Sequence, residues 1–379
     1  MKILFVTRGF PSEDDIMSGN YEAVQAKALT TKGCQISVIC IKLRSFRHFF
    51  SRSRITHRIV EGIDIYECTK TRFSTRFKSF PNLDNRVRIK AYRKAFRKCV
   101  SEKGMPDIVH AHIVGCAASA SFVKDDYHLP LVITEHWTAT NVAEVPEWLK
   151  KLSFVYHKAD RIICVSQILA DSLYRNFQVK SMVINNMVND LFFESTKIER
   201  KDDSFRFIAI GAFRKNKGFD ILVDAFAQGH FSSNVSLDIV GDGEERELVE
   251  NKIREYGISS QVRLLGVKTP MEVNELLCQS DCFVLSSRLE TFAIVVIEAM
   301  AKGLPVIATK SGGPESFLRP DHGILIEKEN PTELVDSMKY MMKHYDNYNS
   351  KQIRQYCYDH FSQNTIANQI IEVYKQVIN

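Results

Sequence analysis

The sequence predicts an α/β protein built from two Rossmann-like, doubly wound domains. Short β-branched runs alternate with helical patterns of roughly 10–20 residues along most of the 379-residue chain. Several runs are apolar along their whole length, as strands are when helices cover both faces of a parallel sheet. The alternation pauses in the polar, aperiodic stretch 185–204 and begins again at Phe205. These three observations indicate two parallel sheets joined by a linker.

The break in the strand–helix alternation locates the predicted domain boundaries. We expect an N-terminal domain at 1–190, a linker at 191–204 and a C-terminal domain at 205–362. Residues 363–379 have an amphipathic pattern, and we expect this helix to pack back on the N-terminal domain. Open α/β sheets bind ligands outside the carboxyl ends of their strands, so the two domains should face each other across a ligand-binding cleft.

Ten strands are predicted, five in each domain. In chain order they are KILFVT (2–7), QISVICI (35–41), DIVHAH (107–112), LVITEH (131–136), RIICVS (161–166), FRFIAIG (205–211), VSLDIVG (235–241), VRLLG (262–266), DCFVLSS (281–287) and PVIAT (305–309). Helical periodicity follows the first strand of each domain, in YEAVQAKALTTKG (21–33) and GFDILVDAFAQG (218–229). Strand–helix–strand units of this kind connect parallel strands.

Composition points to an ordinary globular protein of the cytoplasm. The chain is 45% hydrophobic and 25% charged. No apolar run reaches the roughly 18 residues of a transmembrane helix, and MKILFVTRGF is too short for the core of a signal peptide. The nine cysteines form no Cys-x-x-Cys pair and lie mostly in apolar runs, which favours reduced, buried thiols.

Positive charge is concentrated in residues 42–103, where 18 Lys/Arg stand against 5 Asp/Glu in a chain of net charge +6. Phenylalanines lie among these cations, and RVRIKAYRKAFRKCV is typical of a basic amphipathic helix. Three interpretations are open: docking on an anionic membrane surface, nucleic-acid binding, or a solvated face whose apolar residues pack inward. We favour the membrane surface, because nothing else in the chain suggests nucleic acid.

Basic residues and glycines follow the strands of the second domain. In AIGAFRKNKG (209–218) a strand ends at Gly211 and a helix opens near Lys217, with Arg214 between them. A helix N-terminus beside cationic side chains is suited to bind a phosphate or diphosphate. GDGEE (241–245) and SGGPES (311–316) also follow strands, and their backbone N–H groups can approach an oxygen-rich ligand. A solvated turn is the plain alternative for each motif alone.

Two carboxylates stand on either side of an apolar run in LETFAIVVIEAMAKG. Glu290 lies in the turn after a strand, and Glu298 lies about two turns into the following helix. Carboxylates at this edge can bind vicinal hydroxyls of a sugar by charge-assisted hydrogen bonds. Glu290 also suits the positive end of a helix dipole, whereas Glu298 has strongly apolar neighbours and needs a partner.

This Glu-x7-Glu pattern, continued as EAMAKGLPVIAT and SGGPES, resembles the donor-binding region of family 4 glycosyltransferases with the GT-B fold. AIGAFRKNKG resembles their diphosphate-binding turn, and DIVHAH, ITEH and SGNYEAVQAKALTTKGCQISVIC resemble their N-terminal domain. The resemblance runs from Lys2 to about Ile326, except over 42–103. It implies retaining transfer from a nucleotide-diphosphate sugar, with no cofactor and no obligatory metal.

The resemblance also implies roles for single residues. Glu290 contacts hydroxyls of the donor sugar, Glu298 contacts the ribose, and Lys217 contacts the diphosphate. The family arginine directly follows the strand glycine, where this chain has Ala212, and we expect Arg214, two residues later, to replace it. The implied catalytic residues are His136, which matches the histidine beside the reacting carbon, Glu290, Lys217 and Arg214. The implied donor-binding residues are Gly19, Gly211, Arg214, Lys217, Gly241, Glu290, Thr291, Phe292, Glu298, Gly312 and Gly313.

Metal binding has weak support in the sequence. The chain contains no Asp-x-Asp, the motif of metal-dependent sugar transferases of the other major fold. His110 and His112 lie on the same face of a predicted strand and could bind a metal. No third ligand is evident nearby, so we expect no metal site and favour a polar role at the strand end.

We expect a metal-independent hexosyltransferase that moves a sugar from a UDP- or GDP-sugar to a glycan or lipid-linked acceptor, as in cell-surface polysaccharide synthesis. Its partners would be the nucleotide sugar, the acceptor and an anionic membrane on the inner side of the cell, and no nucleic acid. Two alternatives remain. One is a nucleotide-sugar epimerase of the same fold, and the other is a non-catalytic nucleic-acid-binding protein.

Overall fold

The computed structural model describes residues 1–12, 15, 18–44, 55–71, 81–195 and 203–378. The chain forms two compact units. Unit 1 comprises Met1–Asn185 together with Gln363–Asn379, and unit 2 comprises Asn186–Ser362. The chain therefore passes from one unit to the other twice.

Unit 1 is an eight-stranded sheet with helices. Its strands are β1 (Lys2–Thr7), β2 (Gln35–Arg44), β3 (Ile55–Val60), β4 (Ile63–Thr71), β5 (Ile108–His112), β6 (Leu131–Glu135), β7 (Arg161–Cys164) and β8 (Met182–Val183). Its helices are α1 (Asn20–Thr31), α2 (Pro81–Lys103), α3 (Val114–Ala120), α4 (Phe122–Tyr127), α5 (Glu147–Lys150), α6 (Phe154–Lys158) and α7 (Gln167–Phe177), to which α15 (Gln363–Ile378) is added after unit 2. The strand order is β3-β4-β2-β1-β5-β6-β7-β8, and every pair is parallel except β3 with β4.

Unit 2 has a six-stranded, wholly parallel sheet. Its strands are β9 (Phe205–Ile210), β10 (Val235–Val240), β11 (Val262–Leu264), β12 (Cys282–Leu285), β13 (Val306–Thr309) and β14 (Gly323–Ile326). Its helices are α8 (Leu191–Glu194), α9 (Phe219–Gln228), α10 (Arg246–Glu255), α11 (Pro270–Cys278), α12 (Ile294–Ala301), α13 (Pro331–Lys343) and α14 (Ser350–Phe361). The strand order is β11-β10-β9-β12-β13-β14, and helices α9 and α13 pack together over a buried apolar core.

The strand order of each sheet reverses at its first strand. In unit 1 the chain moves outward from β1 to β2 on one side and restarts with β5 on the other. In unit 2 the same reversal lies between β9 and β12. The loops that leave the carboxyl ends of neighbouring strands diverge at such a point, which opens a crevice for ligands. The predicted fold class is confirmed, with one such edge in each unit.

All ten predicted strands are present, and four further strands were not predicted. β3 and β4 form an antiparallel hairpin at the sheet edge, and most of β3 is exposed or half-buried, so it carries no apolar run. β8 has two residues and β14 has four. α12 begins at Ile294, so Glu298 lies little more than one turn into the helix rather than two.

The basic region is described only in part. Phe46, Phe49, Phe50, Phe73, Phe77 and Phe80, together with Arg72, Arg76 and Lys78, lie outside the described residues. In α2 the apolar residues Tyr92 and Phe96 are fully buried, and the helix packs on β2 and β4. The inward-packed interpretation is therefore correct for the apolar side of this helix. Its exposed side carries cations such as Lys90 and Lys94.

The predicted linker 191–204 begins inside unit 2. Helix α8 packs on α11 and α12, and residues 196–202 lie outside the described part of the chain. All nine cysteines are buried and unbridged, as expected of reduced thiols. Among the residues described, no helix has the length and apolar character needed to cross a bilayer.

Candidate active site

The site residues predicted in unit 2 gather at the carboxyl edge of its sheet. Gly211 follows β9, Gly241 follows β10, Glu290 lies in the loop after β12, and Gly312 lies in the loop after β13. The strands β10, β9, β12 and β13 are neighbours in this order. Four adjacent loops, two on each side of the strand reversal, therefore carry the predicted donor-binding residues. This is the place where sheets of this class bind ligands.

A tight turn brings Lys217 to the start of α9. Residues Lys215–Lys217 form one 3-10 turn, and Gly218 then caps the helix with a φ of 66°. A side chain at Gly218 would place its Cβ 2.1 Å from the carbonyl oxygen of Ser286, so only glycine fits between the two loops. The first N–H groups of α9 and the Lys217 ammonium thus lie at the same edge, which is favourable for an anion.

Lys217 and Glu290 form an ion pair across the strand reversal. The Lys217 Nζ lies 2.6 Å from the Glu290 Oε1, and Ser287 donates to the same oxygen at 2.7 Å. Glu290 is 7% exposed, and its backbone N–H donates to the Ser311 carbonyl at 2.8 Å. The pair holds both side chains in place, one cation and one carboxylate, at the edge where charged parts of a ligand would bind.

The two loops beside Glu290 pack closely. The Glu315 carboxylate accepts from the Gly312 N–H at 2.9 and 3.0 Å, which fixes the loop after β13. A Cβ on Gly313 would lie 2.5 Å from the Phe292 backbone, so the backbones themselves are in contact. Phe292 is fully buried and packs on Phe317. Its side chain belongs to the core of unit 2, so only its backbone is available to a donor.

Thr291 and Glu298 differ in whether a described residue interacts with them. Thr291 is half-buried and has an interaction partner, whereas no hydrogen bond or ion pair from the described residues reaches the Glu298 carboxylate. Burial raises the pKa of Glu298 to about 7. An acid in this state near neutral pH can donate to or accept from a hydroxyl, as recognition of a ribose would require.

Arg214 and its neighbour Ala212 are exposed. Arg214 immediately precedes the 3-10 turn, and no described residue forms a hydrogen bond or an ion pair with its guanidinium. Gly211 donates its N–H to Val240, the residue before Gly241, at 3.0 Å, so the loops after β9 and β10 meet. Arg214 therefore projects from the same loop as Lys217 and is available to an anionic ligand.

Arg288, which was not predicted as a site residue, connects two loops of the site. Its guanidinium binds both carboxylate oxygens of Asp220 at 2.8 Å and donates to the Lys215 carbonyl at 2.7 Å. It also pairs with Glu329, and its backbone N–H donates to Asn216 at 2.8 Å. Arg288 thus joins the loop of Glu290 to the turn of Lys217. No local motif marks it, because its partners lie 68 and 41 residues away.

Unit 1 places Gly19 and His136 at its own strand reversal. Gly19 caps α1 with a φ of 71°, and a Cβ there would lie 2.2 Å from the carbonyl oxygen of Gly9. This close approach sets the start of α1 beside the end of β1. His136 follows β6, and its Nε2 lies 3.9 Å from the Oε1 of Glu22 in α1. No motif in the sequence marks Glu22 as a site residue.

The groups around His136 have strongly shifted pKa values. Burial, with a contribution from the charge of Arg8, lowers the pKa of His136 to about 4, so its imidazole is neutral at physiological pH. Burial raises the pKa of Glu22 to about 7, while its backbone hydrogen bond and Arg8 act in the opposite direction. The rings of Tyr21 and His136 lie 5.3 Å apart. A neutral imidazole can accept or donate a hydrogen bond without an accompanying charge.

Glu135 was also missed and positions the loop of His136. One carboxylate oxygen accepts from the backbone N–H groups of His136 and Trp137, at 3.1 and 2.9 Å. The other accepts from the Val114 N–H at 2.9 Å and the Tyr156 hydroxyl at 2.7 Å. Four donors converge on one buried carboxylate, which satisfies it fully. The sequence feature that could have identified Glu135 is its position as a carboxylate at the end of an apolar strand.

His110 and His112 have different environments, although both are fully buried. The two ring nitrogens of His110 bond to the Tyr374 and Thr134 hydroxyls at 2.5 and 2.7 Å, which confirms a polar structural role for this residue. Both ring nitrogens of His112 are buried, and no residue in the described part of the chain forms a hydrogen bond with either. A ligand atom of His112 lies within 4.8 Å of those of Glu22 and His136.

Comparison with known proteins identifies the family. Residues 21–190 match the sequence model of Glycosyltransferase Family 4, and residues 192–359 match that of Glycosyl transferases group 1. The uncharacterised glycosyltransferase MJ1178 of Methanocaldococcus jannaschii is 30% identical over 258 residues, which are 66% of this chain and 69% of that protein.

Two solved structures are similar to this chain over nearly their whole length. Sucrose-phosphate synthase from Thermosynechococcus elongatus has a TM-score of 0.80 at 19% identity, covering 99% of this chain and 98% of that one. Anabaena Alr3699/HepE in complex with UDP-glucose has a TM-score of 0.76 at 18% identity, covering 99% and 100%. With the family matches, this likeness leads to one conclusion: the chain belongs to the glycosyltransferases of the family 4 type and has their two-domain GT-B fold.

Proposed function

We propose that the protein is a retaining, metal-independent hexosyltransferase that takes its sugar from a UDP- or GDP-sugar and needs no cofactor. The Lys217–Glu290 ion pair at the strand reversal of unit 2 is the observation that carries this proposal. A cation for phosphate oxygens and a carboxylate for sugar hydroxyls stand 2.6 Å apart. A nucleotide-diphosphate sugar presents both kinds of group on neighbouring atoms.

The proposed chemistry breaks the bond between the sugar anomeric carbon and the diphosphate oxygen. The electron pair leaves with the diphosphate, so negative charge grows at the leaving oxygen. Lys217, Arg214 and the first N–H groups of α9 stabilise that charge, which lowers the barrier. The acceptor hydroxyl attacks the same carbon on the same face, and its proton passes to the leaving diphosphate. Retention of the anomeric configuration follows.

The other site residues have proposed roles in binding. Glu290 accepts hydrogen bonds from donor hydroxyls, and Glu298 contacts the ribose. Backbone groups of Gly312 and Gly313 approach the diphosphate and sugar. Gly19 and His136 act from unit 1, where the neutral imidazole of His136 contacts the transferred sugar near its reacting carbon. The complex of Alr3699/HepE with UDP-glucose supports a nucleotide sugar as the ligand class for this fold.

The proposed acceptor is a glycan or a lipid-linked sugar used in cell-surface polysaccharide synthesis, and the proposed location is the cytoplasm, at the inner face of the membrane. The excess of Lys and Arg in residues 42–103 supports an anionic surface as a partner. Nucleic acid is not among the proposed partners.

The central experiment measures transfer by Lys217→Ala and Glu290→Ala. Each variant should lose about 10²–10³ in kcat, because each removes a charged contact to the reacting donor. Lys268→Ala is the matched control, since Lys268 also pairs with a glutamate in unit 2 but on the surface. Transfer at the wild-type rate by both site variants, with normal circular dichroism, would refute the assignment.

Three further measurements separate the alternatives. Transfer should persist in excess EDTA, and loss that magnesium or manganese restores would contradict metal independence. NMR of the product should show the donor's anomeric configuration. Incubation with donor alone should yield no epimerised nucleotide sugar, whereas epimerisation would favour the epimerase. Tight RNA binding without a thermal shift by any nucleotide sugar would favour the nucleic-acid-binding protein.

A further inference from the structure

Three side chains of unit 1 converge on one point at the strand reversal. Glu22 comes from the first turn of α1, His112 from the last position of β5, and His136 from the loop after β6. One ligand atom of each lies within 4.8 Å of those of the other two. The sheet brings them together, because β1, β5 and β6 are neighbours and their carboxyl ends share one edge.

His112 is the unusual member of this cluster. It is 0% exposed, and neither of its ring nitrogens has a hydrogen-bond partner among the described residues. A buried imidazole without partners is unfavourable, because its donor and its acceptor are both removed from water. His110, two residues earlier on the same strand, has both nitrogens bonded. The fold therefore provides hydrogen-bond partners for both ring nitrogens of His110, whereas those of His112 are available to a ligand.

We propose that Glu22, His112 and His136 form a binding site for a divalent ion of the zinc class. Two imidazoles and one carboxylate are a common protein ligand set for zinc, with a water in the fourth position. Such an ion would give His112 the partner it lacks. The oxygen of Glu22 and the Nε2 of His136 are 3.9 Å apart, so a small contraction brings both to the roughly 2.0–2.2 Å of a zinc bond.

The surroundings allow an ion to enter and set a limit on its affinity. The His136 side chain is 21% exposed although its Nε2 is buried, so an ion would enter the cluster from the side of this ring. Arg8 is exposed, and its positive charge acts on both Glu22 and His136. That charge opposes a dication, so the affinity should be moderate and should increase when Arg8 is neutralised.

The first test is binding of Zn²⁺ alone to the full chain, by isothermal titration calorimetry, with Co²⁺ absorption as a probe of the ligand set. We expect one site of micromolar or tighter affinity and a Co²⁺ spectrum of nitrogen and oxygen ligands without thiolate bands. Glu22→Gln and His136→Gln should each weaken zinc binding at least about tenfold, since loss even of an outer-shell partner of a metal ligand typically costs about 10–100-fold. Both replacements keep the polar character of the site.

Two further variants make the test specific. Arg8→Gln should tighten zinc binding severalfold, an effect that a damaged fold would not produce. His157→Gln is the matched control, since His157 is an exposed histidine of the same unit, and it should bind as the wild type does. Equal binding by all five proteins, no binding by the wild type, or Co²⁺ thiolate bands would each overturn the site.

The readout does not depend on the proposed transfer. Zinc binding can be present in a protein that proves not to transfer hexoses, and it can be absent from one that does. A metal at this place would occupy the imidazole of His136, so zinc should also inhibit transfer if His136 has the role proposed above. EDTA should reverse that inhibition.

Discussion

Glu298 illustrates how a single carboxylate can link pH to stability. Its side chain is partly exposed, yet the apolar surroundings raise its pKa to about 7, from about 4.5 when unfolded. Between these values the folded protein holds a proton that the unfolded chain has released. Stability therefore falls as pH rises from about 4.5 to 7, and the loss is complete above pH 7.

Replacing Glu298 with Gln should remove this dependence. The shift corresponds to at most about 3 kcal/mol, so at pH 8 the Glu298→Gln variant should unfold at a higher temperature than the wild type, with little difference at pH 4.5. Calorimetric scans across this range measure the change. Glu272→Gln is the control, because a backbone hydrogen bond lowers the pKa of Glu272 to about 2 and keeps it ionised throughout. A constant difference between the Glu298 variant and wild type across pH would contradict the interpretation.

Glu135 should be essential to the loop that carries His136. Glu135→Gln keeps the shape but places an amide NH₂ against groups that already donate to this position. An unsatisfied buried donor costs about 1–3 kcal/mol, so unit 1 should unfold at a lower temperature. Hydrogen exchange should show faster exchange at the His136 and Trp137 amides. Unchanged exchange there would mean that other contacts hold the loop.

At the scale of elements, Arg288 positions Lys217 by holding the 3-10 turn that bears it. It fixes the Lys215 carbonyl and Asp220 at the start of α9, and so determines where Lys217 and the helix N-terminus stand. Arg288→Met should reduce kcat about tenfold or more with little change in global stability, because misplacing a charged group weakens its effect on the proposed leaving diphosphate.

A second variant separates the effect of moving the Lys217 turn from the effect of leaving an aspartate unpaired. Arg263 binds Asp238 through two hydrogen bonds of 2.6 Å, on a strand of the same sheet away from the loops of the site. Arg263→Met removes an equivalent interaction and should leave kcat unchanged. Equal kcat losses in both variants would indicate a general effect of unpairing an aspartate rather than control of the Lys217 turn.

The elements also show what the sequence could and could not predict. Strands buried on both faces, such as β5, β6, β12 and β13, are apolar runs, which is why most of the ten strands could be predicted. The β3–β4 hairpin was missed because β3 is a mostly exposed edge strand without such a run. The loops bearing Lys217 and Glu290 were predicted to share an edge. The partners of Arg288 and the meeting of Glu22 with His112 were not predicted, since both depend on contacts between distant segments.

At the scale of the whole molecule, the basic region predicts attachment to membranes. The protein should sediment with anionic vesicles at low salt and release at high salt, since each Lys or Arg near such a surface contributes about 1 kcal/mol. Reversing the charges of Arg72, Arg76 and Lys78 together should weaken sedimentation and spare transfer to a water-soluble acceptor analogue. Sedimentation that salt and charge reversal do not change would contradict an electrostatic attachment.

Helix α15 should be required by unit 1 and not by unit 2. It buries Ile366, Ile370 and Val373 against unit 1, and Tyr374 bonds to His110. Deleting residues 363–379 exposes this surface at a cost of several kcal/mol, at about 1.5–3 kcal/mol per large apolar side chain. Limited proteolysis should then degrade unit 1 and leave unit 2 resistant. Tyr374→Phe, which removes one hydroxyl, should show only a mild effect, and an intact unit 1 without α15 would refute the requirement.

The return of α15 to unit 1 also has a consequence for the order in which the protein is made. On the ribosome, unit 2 has its whole sequence once Ser362 has emerged, whereas unit 1 still lacks a helix of its core although most of it was synthesised first. The N-terminal part must therefore wait, with the surface for α15 uncovered, while about 177 later residues are added at roughly 5–20 residues per second. For some tens of seconds or less, the nascent chain exposes an apolar surface that a chaperone would recognise.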